Sequence, residues 1–196
     1  MRIPALILCL LLLALVLTVG VWRLAVGVES PPPRDVIVIL LDAVRLDALG
    51  CYGHPDDPTP NLDSFARESV RFTRSYASSG WTLPSAGSLL TGTWPTIHGG
   101  MNLNSRMTKI REDVPTGPEI MRRRGFFTAG LGNTAFLSPL VGLDRGFDYF
   151  DARYTDNRGG RRADETVDDF LRLLDRAPDD SRFFFLHFFD PHLNYD

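Results

Sequence analysis

Three short apolar runs, each followed at once by a polar residue, constrain the fold of this chain more than any other feature. They lie at residues 35–41, 126–132 and 183–189 and consist mainly of aliphatic and phenylalanine side chains. Apolar runs of this length are typical of strands that are buried on both faces of a parallel sheet. We therefore expect three buried strands at the centre of the fold.

The segments between these runs predict helices. An amphipathic helix is expected over residues 163–174, and shorter helices are expected after a cap at Asn61 and over residues 116–124. Residues 70–76 alternate and predict a short or edge strand, whereas residues 139–151 predict a packed irregular segment. Strands that alternate with helices predict an α/β fold with a doubly wound, mostly parallel sheet and helices on both faces.

Residues 79–92 predict a loop that brings a hydroxyl group to the first turn of a helix. Pro84 suits that turn because its fixed φ and missing N–H cost nothing there. Thr82 would lie beside free backbone N–H groups and the positive end of the helix dipole, which together stabilise an attached anion. A threonine at this point is also typical of a plain helix cap, so this stretch alone leaves both interpretations open.

Five polar residues fall at strand ends or helix starts. They are Asp42, Thr82, Asn133, Asp190 and His192. In an open α/β sheet, ligands bind beyond the carboxyl ends of the strands, so we expect these residues to share one rim of the domain. Two further histidines, His98 in a predicted turn and His187 within the third run, are interpreted as structural residues.

The N-terminal residues predict a membrane segment. Residues 3–22 contain no charged side chain and approach the length needed to span a bilayer, and Arg2 favours a cytoplasmic N-terminus. We expect a transmembrane anchor or signal sequence over 1–29, a proline-rich spacer over 30–34, and a domain over 35–196 on the extracytoplasmic side. Small residues close behind the apolar run leave a cleaved signal peptide open.

Composition excludes some functions. The formal net charge is −3, which gives no support for a nucleic-acid partner. Cys51 is the one cysteine outside the apolar N-terminal run, so no disulfide can form within the soluble part. No Gly-x-Ser-x-Gly sequence occurs, which disfavours a serine hydrolase.

The adjacent Arg161 and Arg162 are interpreted as solvated surface.

Motifs that follow one another in order along the chain carry a resemblance to a known family. They are residues 36–53, 59–63, 70–73, 81–92 and 94–99, followed by Asp190-Pro191-His192. This series resembles the sulfatase family, which belongs to the alkaline-phosphatase-like superfamily. The resemblance implies a metal-dependent hydrolase or transferase that acts on sulfate or phosphate esters.

The same resemblance implies roles for individual residues. Asp42 matches the first metal-ligating acid, and Thr82 matches the nucleophile. His192 looks like the histidine that contacts the substrate or protonates the leaving group. Asn133 and Asp190 are the candidate substrate-binding residues. The expected cofactor is a divalent cation, Ca, Mg, Mn or Zn, and the expected partner is an anionic ester.

Several positions differ from the arylsulfatase pattern. Thr82 cannot give the formylglycine aldehyde, because oxidation of a secondary alcohol gives a ketone, and Ala86 replaces the arginine of that motif. Asn133 stands where many arylsulfatases have a lysine, and Ala43 replaces a second acid of some relatives. A threonine nucleophile resembles membrane-anchored transferases of phosphoglycerol or phosphoethanolamine, which is the alternative function.

Family members carry a further pair of metal ligands beyond the position matching Asp196. We therefore expect the C-terminal part of the catalytic domain to be missing from this sequence. A catalytically silent fragment is the remaining alternative.

Overall fold

The computed structural model describes residues 34–56, 58–103, 106–154 and 160–192. The strands and helices, in chain order, are β1 (Asp35–Leu41), α1 (Pro60–Arg67), α2 (Thr82–Thr91), α3 (Pro95–His98), β2 (Asn102–Leu103), β3 (Arg106–Met107), α4 (Gly117–Arg123), β4 (Phe127–Gly132), β5 (Tyr149–Ala152), α5 (Ala163–Arg176) and β6 (Arg182–Phe188). Short 3₁₀ helices lie at Leu46–Ala48, Gly50–Tyr52, Ala135–Leu137 and Pro139–Val141.

Four strands form one parallel sheet in the order β1-β6-β4-β5. Strand β6 lies between β1 and β4, so that Phe184 pairs with Ile37 on one side and with Ala129 on the other. Strands β2 and β3 form a separate antiparallel pair. The predicted α/β fold with a mostly parallel sheet is confirmed, and the three predicted central strands match β1, β4 and β6 to within one residue at each end.

Helices cover both faces of strand β6. Phe183 and Phe185 belong to the same buried cluster as Leu83 and Leu90 of helix α2. Phe184 points to the opposite face, because side chains alternate along a strand, and its ring lies 5.2 Å from that of Phe170 in helix α5. The phenylalanine-rich run thus supplies core side chains to both layers.

Strand β1 differs from the expectation that both of its faces are buried. In the described part of the chain it pairs with β6 alone, and Ile37 and Ile39 are 45% and 58% exposed. Val38 and Leu40, on the other face, pack against the buried cluster. An apolar run shows that a strand can be buried, but it does not show which neighbouring element covers it.

The strand predicted over residues 70–76 is wrong. No strand is assigned to these residues, and Val70, Phe72 and Tyr76 are all largely exposed. The alternation of apolar and polar side chains is present, but none of the described strands pairs with this segment. Conversely, the irregular segment expected over 139–151 ends in strand β5, which pairs with β4.

None of the helices in the described ranges has both the length and the apolar character that a membrane span requires. The predicted anchor over 1–29 and nearly all of the spacer over 30–34 lie outside the described residues.

Candidate active site

Asp42 directly follows strand β1 at the carboxyl edge of the sheet. Its backbone N–H donates to the carbonyl of Phe188, 3.0 Å away, and so extends the pairing with β6 by one residue. At the next residue, Ala43, φ is 62°, a left-handed conformation that side-chain-bearing residues adopt at an energetic cost. The chain therefore turns sharply away from the sheet just after the carboxylate.

Thr82 is the first residue of helix α2, with Trp81 in extended conformation as its N-cap. Pro84 lies in the first turn, as expected, where its missing N–H breaks no helical hydrogen bond. The Thr82 hydroxyl donates to Oδ2 of Asp42 over 3.0 Å, across 40 residues of sequence. A hydroxyl at a helix start and a carboxylate at a strand end are thus in direct contact.

His187 contacts the same carboxylate oxygen and was not anticipated as part of the site. It lies on strand β6, has no exposed surface, and places Nε2 3.2 Å from Oδ2 of Asp42. Its other ring nitrogen, Nδ1, accepts from the backbone N–H of Asn133, 3.2 Å away. The sequence feature that could have indicated this contact is a histidine within an otherwise phenylalanine-rich strand that ends beside Asp42.

These contacts set the electrostatics of Asp42. Burial raises the pKa of its carboxyl group, but the hydrogen bonds from His187 and Thr82 and the nearby charge of His192 lower it by a larger amount. The net result is an Asp42 pKa below the ordinary value of 3.8. The carboxylate is therefore ionised at neutral pH.

Asn133 follows strand β4, and its side chain is fully buried. Its amide oxygen accepts from Nε of Arg161 over 3.0 Å, and its amide nitrogen donates to Oγ1 of Thr166 and to the carbonyl oxygen of His187. Both ends of the side chain therefore bind protein groups in this structure. Its predicted contact with substrate stays a prediction.

Arg161 forms the outer part of this network, which corrects its interpretation as solvated surface. Its side chain is 2% exposed, and its guanidinium bridges Asp151 and Asp169 at 3.2 and 3.0 Å. A second guanidinium nitrogen donates to the carbonyl of Gly132. The neighbouring Arg162 is exposed as predicted, so adjacent arginines have opposite environments.

The other two candidates lie just after strand β6. Oδ1 of Asp190 accepts from the backbone N–H of Ala163, 2.8 Å away, at the start of helix α5. The His192 ring stacks on Phe189 with centroids 4.3 Å apart and planes 12° apart. His192 is half-buried, and its charge helps to lower the pKa of Asp42.

The oxygen atoms of Asp42 and Thr82 determine whether this site suits a divalent cation. Within the described ranges no cluster of three or more His, Cys, Asp or Glu side chains is arranged to hold a metal. Asp42 supplies an ionised carboxylate whose Oδ1 accepts no hydrogen bond from a described residue, and Thr82 supplies a neighbouring hydroxyl. These hard oxygen atoms suit Mg²⁺ or Ca²⁺ as part of a coordination shell.

Comparison with protein families matches residues 34–196 to the sulfatase family. The match covers most of the chain and includes every residue of the site, so the chain belongs to the sulfatase family.

Individual relatives support this assignment. Arylsulfatase A of Homo sapiens is 34% identical over 134 residues, which cover 62% of this chain and 26% of that protein. N-acetylgalactosamine-6-sulfatase of Homo sapiens is 29% identical over 113 residues, which cover 53% of this chain and 22% of that protein. The chain thus spans about a quarter of the length of these relatives.

Solved structures share the fold. BT4656 in complex with D-glucosamine-2-N,6-O-disulfate superposes with a TM-score of 0.71 at 23% identity, over 84% of this chain and 36% of that one. The zinc complex of the periplasmic domain of EcEptC from Escherichia coli gives a TM-score of 0.63 at 18% identity, over 85% and 46% of the two chains.

Proposed function

We propose that this chain supplies the nucleophile and one metal-ligating acid to a metal-dependent enzyme that cleaves sulfate or phosphate esters. The observation that carries the proposal is the 3.0 Å contact between Oγ1 of Thr82 and Oδ2 of Asp42. It joins the N-terminus of helix α2, which favours an anion, to an ionised carboxylate, which favours a cation. A site that holds an anionic ester together with a cation needs both the helix N-terminus and the carboxylate.

Asp42 is the residue of this chain that would hold the cation, a Ca, Mg, Mn or Zn ion. When bound, a divalent ion lowers the pKa of a coordinated hydroxyl and neutralises ester oxygens. The low pKa of Asp42 keeps it ionised for this purpose and also makes it a weak base. Its hydrogen bond to Thr82 therefore serves chiefly to orient the hydroxyl.

The reaction that we propose is a substitution at sulfur or phosphorus. The bond from Oγ1 of Thr82 to sulfur or phosphorus forms while the bond to the departing alcohol breaks, and the Thr82 proton is released to bulk water. The hydrogen bond to Asp42 holds the hydroxyl in place for this attack. His192, beside the site on Phe189, gives a proton to the departing oxygen. Water then cleaves the covalent intermediate and restores the Thr82 hydroxyl.

Two residues have proposed roles in binding. Asp190 is exposed beside His192, and we propose that it contacts the substrate while it caps helix α5. The buried position of Asn133 favours a supporting role over the substrate contact that we expected from the sequence.

Turnover by the full-length protein tests this function. The purified enzyme is assayed with an aryl sulfate, an aryl phosphate monoester and a phosphodiester, each with added Mg²⁺, Ca²⁺, Mn²⁺ or Zn²⁺. Thr82→Ala should lower kcat by about 10³-fold or more, as expected for loss of a nucleophile, while Thr82→Ser should retain a primary hydroxyl and measurable turnover. Equal rates for the wild type and Thr82→Ala, or no turnover of any ester, would refute the proposal and leave a catalytically silent module.

A transferase that passes a phosphorus-containing group to another alcohol is the second candidate. The observation that favours it is the nucleophile itself, because Thr82 cannot become an aldehyde and must attack as an alcohol. Addition of glycerol to a phosphodiester assay separates the two reactions. A transferase forms the glycerol ester in preference to the hydrolysis product, whereas a hydrolase yields the same product with or without glycerol.

We also propose that the domain is held on the extracytoplasmic side of a membrane by residues 1–29, because residues 3–22 carry no charge. Protease treatment of intact and permeabilised cells tests the location. Digestion of the domain only after permeabilisation of the membrane that encloses the cytoplasm would contradict it.

A further inference from the structure

The strongest unassigned feature is the fully buried ring of His187, which lies between Asp42 and Asn133. We propose that His187 is a positioning residue, held as its Nε2–H tautomer by the backbone N–H of Asn133, and that it fixes the orientation of the Asp42 carboxylate for cation binding. This inference rests on the proposed function, because the cation gives the orientation its purpose.

The tautomer follows from the partners of the two ring nitrogens. A backbone N–H can only donate, so Nδ1 of His187, 3.2 Å from the nitrogen of Asn133, must present its lone pair. In a neutral imidazole the hydrogen is then on Nε2. That nitrogen lies 3.2 Å from Oδ2 of Asp42, which can only accept when it is ionised.

This hydrogen bond restricts the carboxylate of Asp42. Its Oδ2 accepts from both His187 and Thr82, two donors fixed on different elements, strand β6 and helix α2. Two donors on one oxygen hold the carboxylate plane, and no described residue donates to the other oxygen, Oδ1. A carboxylate that is already oriented loses less freedom when it takes up a cation.

The position of Asn133 is itself fixed by its side chain. The amide group binds Arg161, Thr166 and the backbone carbonyl of His187, so the N–H that selects the tautomer belongs to a residue with little freedom to move. Hydrogen-bonding partners of ligating side chains commonly alter metal affinity by 10- to 100-fold when they are removed. His187 has the same relation to Asp42.

Two substitutions at one position distinguish this role from simple core packing. In His187→Gln the side-chain amide nitrogen reaches about as far as Nε2 and can still donate to Asp42. In His187→Asn the amide reaches only about as far as Nδ1, so it can contact Asn133 but not Asp42. Both variants are smaller than histidine and polar, so a merely structural role predicts similar losses for both.

The experiment uses the full-length protein and two readouts that do not depend on turnover. A long-range proton–nitrogen NMR spectrum of protein labelled with ¹⁵N-histidine identifies the tautomer of His187, and calorimetric titration with Mn²⁺ gives the metal affinity. We expect the hydrogen on Nε2, a Kd within about threefold of the wild type for His187→Gln, and a Kd weakened by about 10- to 100-fold for His187→Asn.

Two results would overturn the inference, namely a hydrogen on Nδ1 of His187 in the wild type, or equal Mn²⁺ affinities for the two variants. The NMR result decides even if a variant fails to fold, because it needs only the wild-type protein. Failure of the proposed function is a separate outcome, since loss of all ester turnover would leave both the tautomer and the Mn²⁺ affinities measurable.

Discussion

Nε2 of His98 lies 3.2 Å from the carbonyl oxygen of Pro84, which joins helix α3 to the first turn of helix α2. Nδ1 of His98 accepts from the backbone N–H of Gly100, so the ring hydrogen lies on Nε2 and is donated towards Pro84. Pro84 is two residues after Thr82. The buried histidine therefore fixes the turn that presents the proposed nucleophile.

Replacement of His98 by alanine should destabilise the protein. The variant His98→Ala leaves a cavity at a fully buried site and removes the donor of the Pro84 carbonyl, and together these should cost about 2–4 kcal/mol. Urea denaturation of the full-length protein measures the loss. His54→Ala is the matched control, because His54 lies in a partly exposed loop and should be nearly neutral. Equal losses of stability in the two variants would contradict the structural role of His98.

The lowered pKa of His98 should make the stability of the protein depend on pH. Burial lowers the pKa of His98 below its ordinary value of 6.5, and the hydrogen bond to the Pro84 carbonyl offsets this only in part. Below pH 6.5 the unfolded chain therefore binds a proton that the folded protein resists, and stability falls as pH decreases towards the folded pKa. Each pH unit in this window should cost up to about 1.4 kcal/mol.

Urea midpoints at pH 7.5 and pH 5.5 test this dependence. The wild type should lose more stability over that interval than His98→Gln, which has no titratable group at this position. Parallel losses in the two proteins would show that other groups are responsible.

Local sequence was sufficient to predict the central strands and the position of Asp42 at the edge of the sheet, whereas the pairing of Asp42 with Thr82 was expected from the family resemblance. The apolar runs define β1, β4 and β6, and the residues after parallel strands necessarily lie at one edge of the sheet. The burial of Arg161 could not be predicted in this way, because it depends on Asp151 and Asp169, which belong to other elements. The contact of His187 with Asp42 depends on the register of β6 against β1, which no local pattern specifies.

The arginine pair provides a direct test of those opposite environments. Arg161→Met removes a buried cation between Asp151 and Asp169, although Arg153 still contacts both carboxylates at 3.0 and 3.2 Å. It also removes the side-chain donors to Asn133 and to the Gly132 carbonyl, so it should cost about 1–3 kcal/mol. Arg162→Met removes an exposed ion pair to Asp164 and should change stability little. Thermal unfolding of the two variants measures the difference. Similar melting temperatures would refute the buried network.

Gly87 lies inside helix α2 and faces two buried side chains. A Cβ at Gly87 would lie 2.7 Å from Cε1 of His98 and 2.9 Å from Cδ1 of Ile110, both on buried side chains that have little room to move. Alanine is the better helix former by about 1 kcal/mol, but forced overpacking costs about 1–3 kcal/mol. Because the new Cβ would clash with two buried side chains at once, we expect Gly87→Ala to be less stable than the wild type.

The same substitution should also slow catalysis, since displacement of His98 moves the Pro84 carbonyl and with it the turn that begins at Thr82. Gly80→Ala is the matched control, because a Cβ there meets no atom within 4 Å. Urea denaturation and kcat, measured on both variants, should change for Gly87→Ala and remain close to wild type for Gly80→Ala. A Gly87→Ala protein as stable and as active as the wild type would mean that helix α2 does not pack this closely against His98.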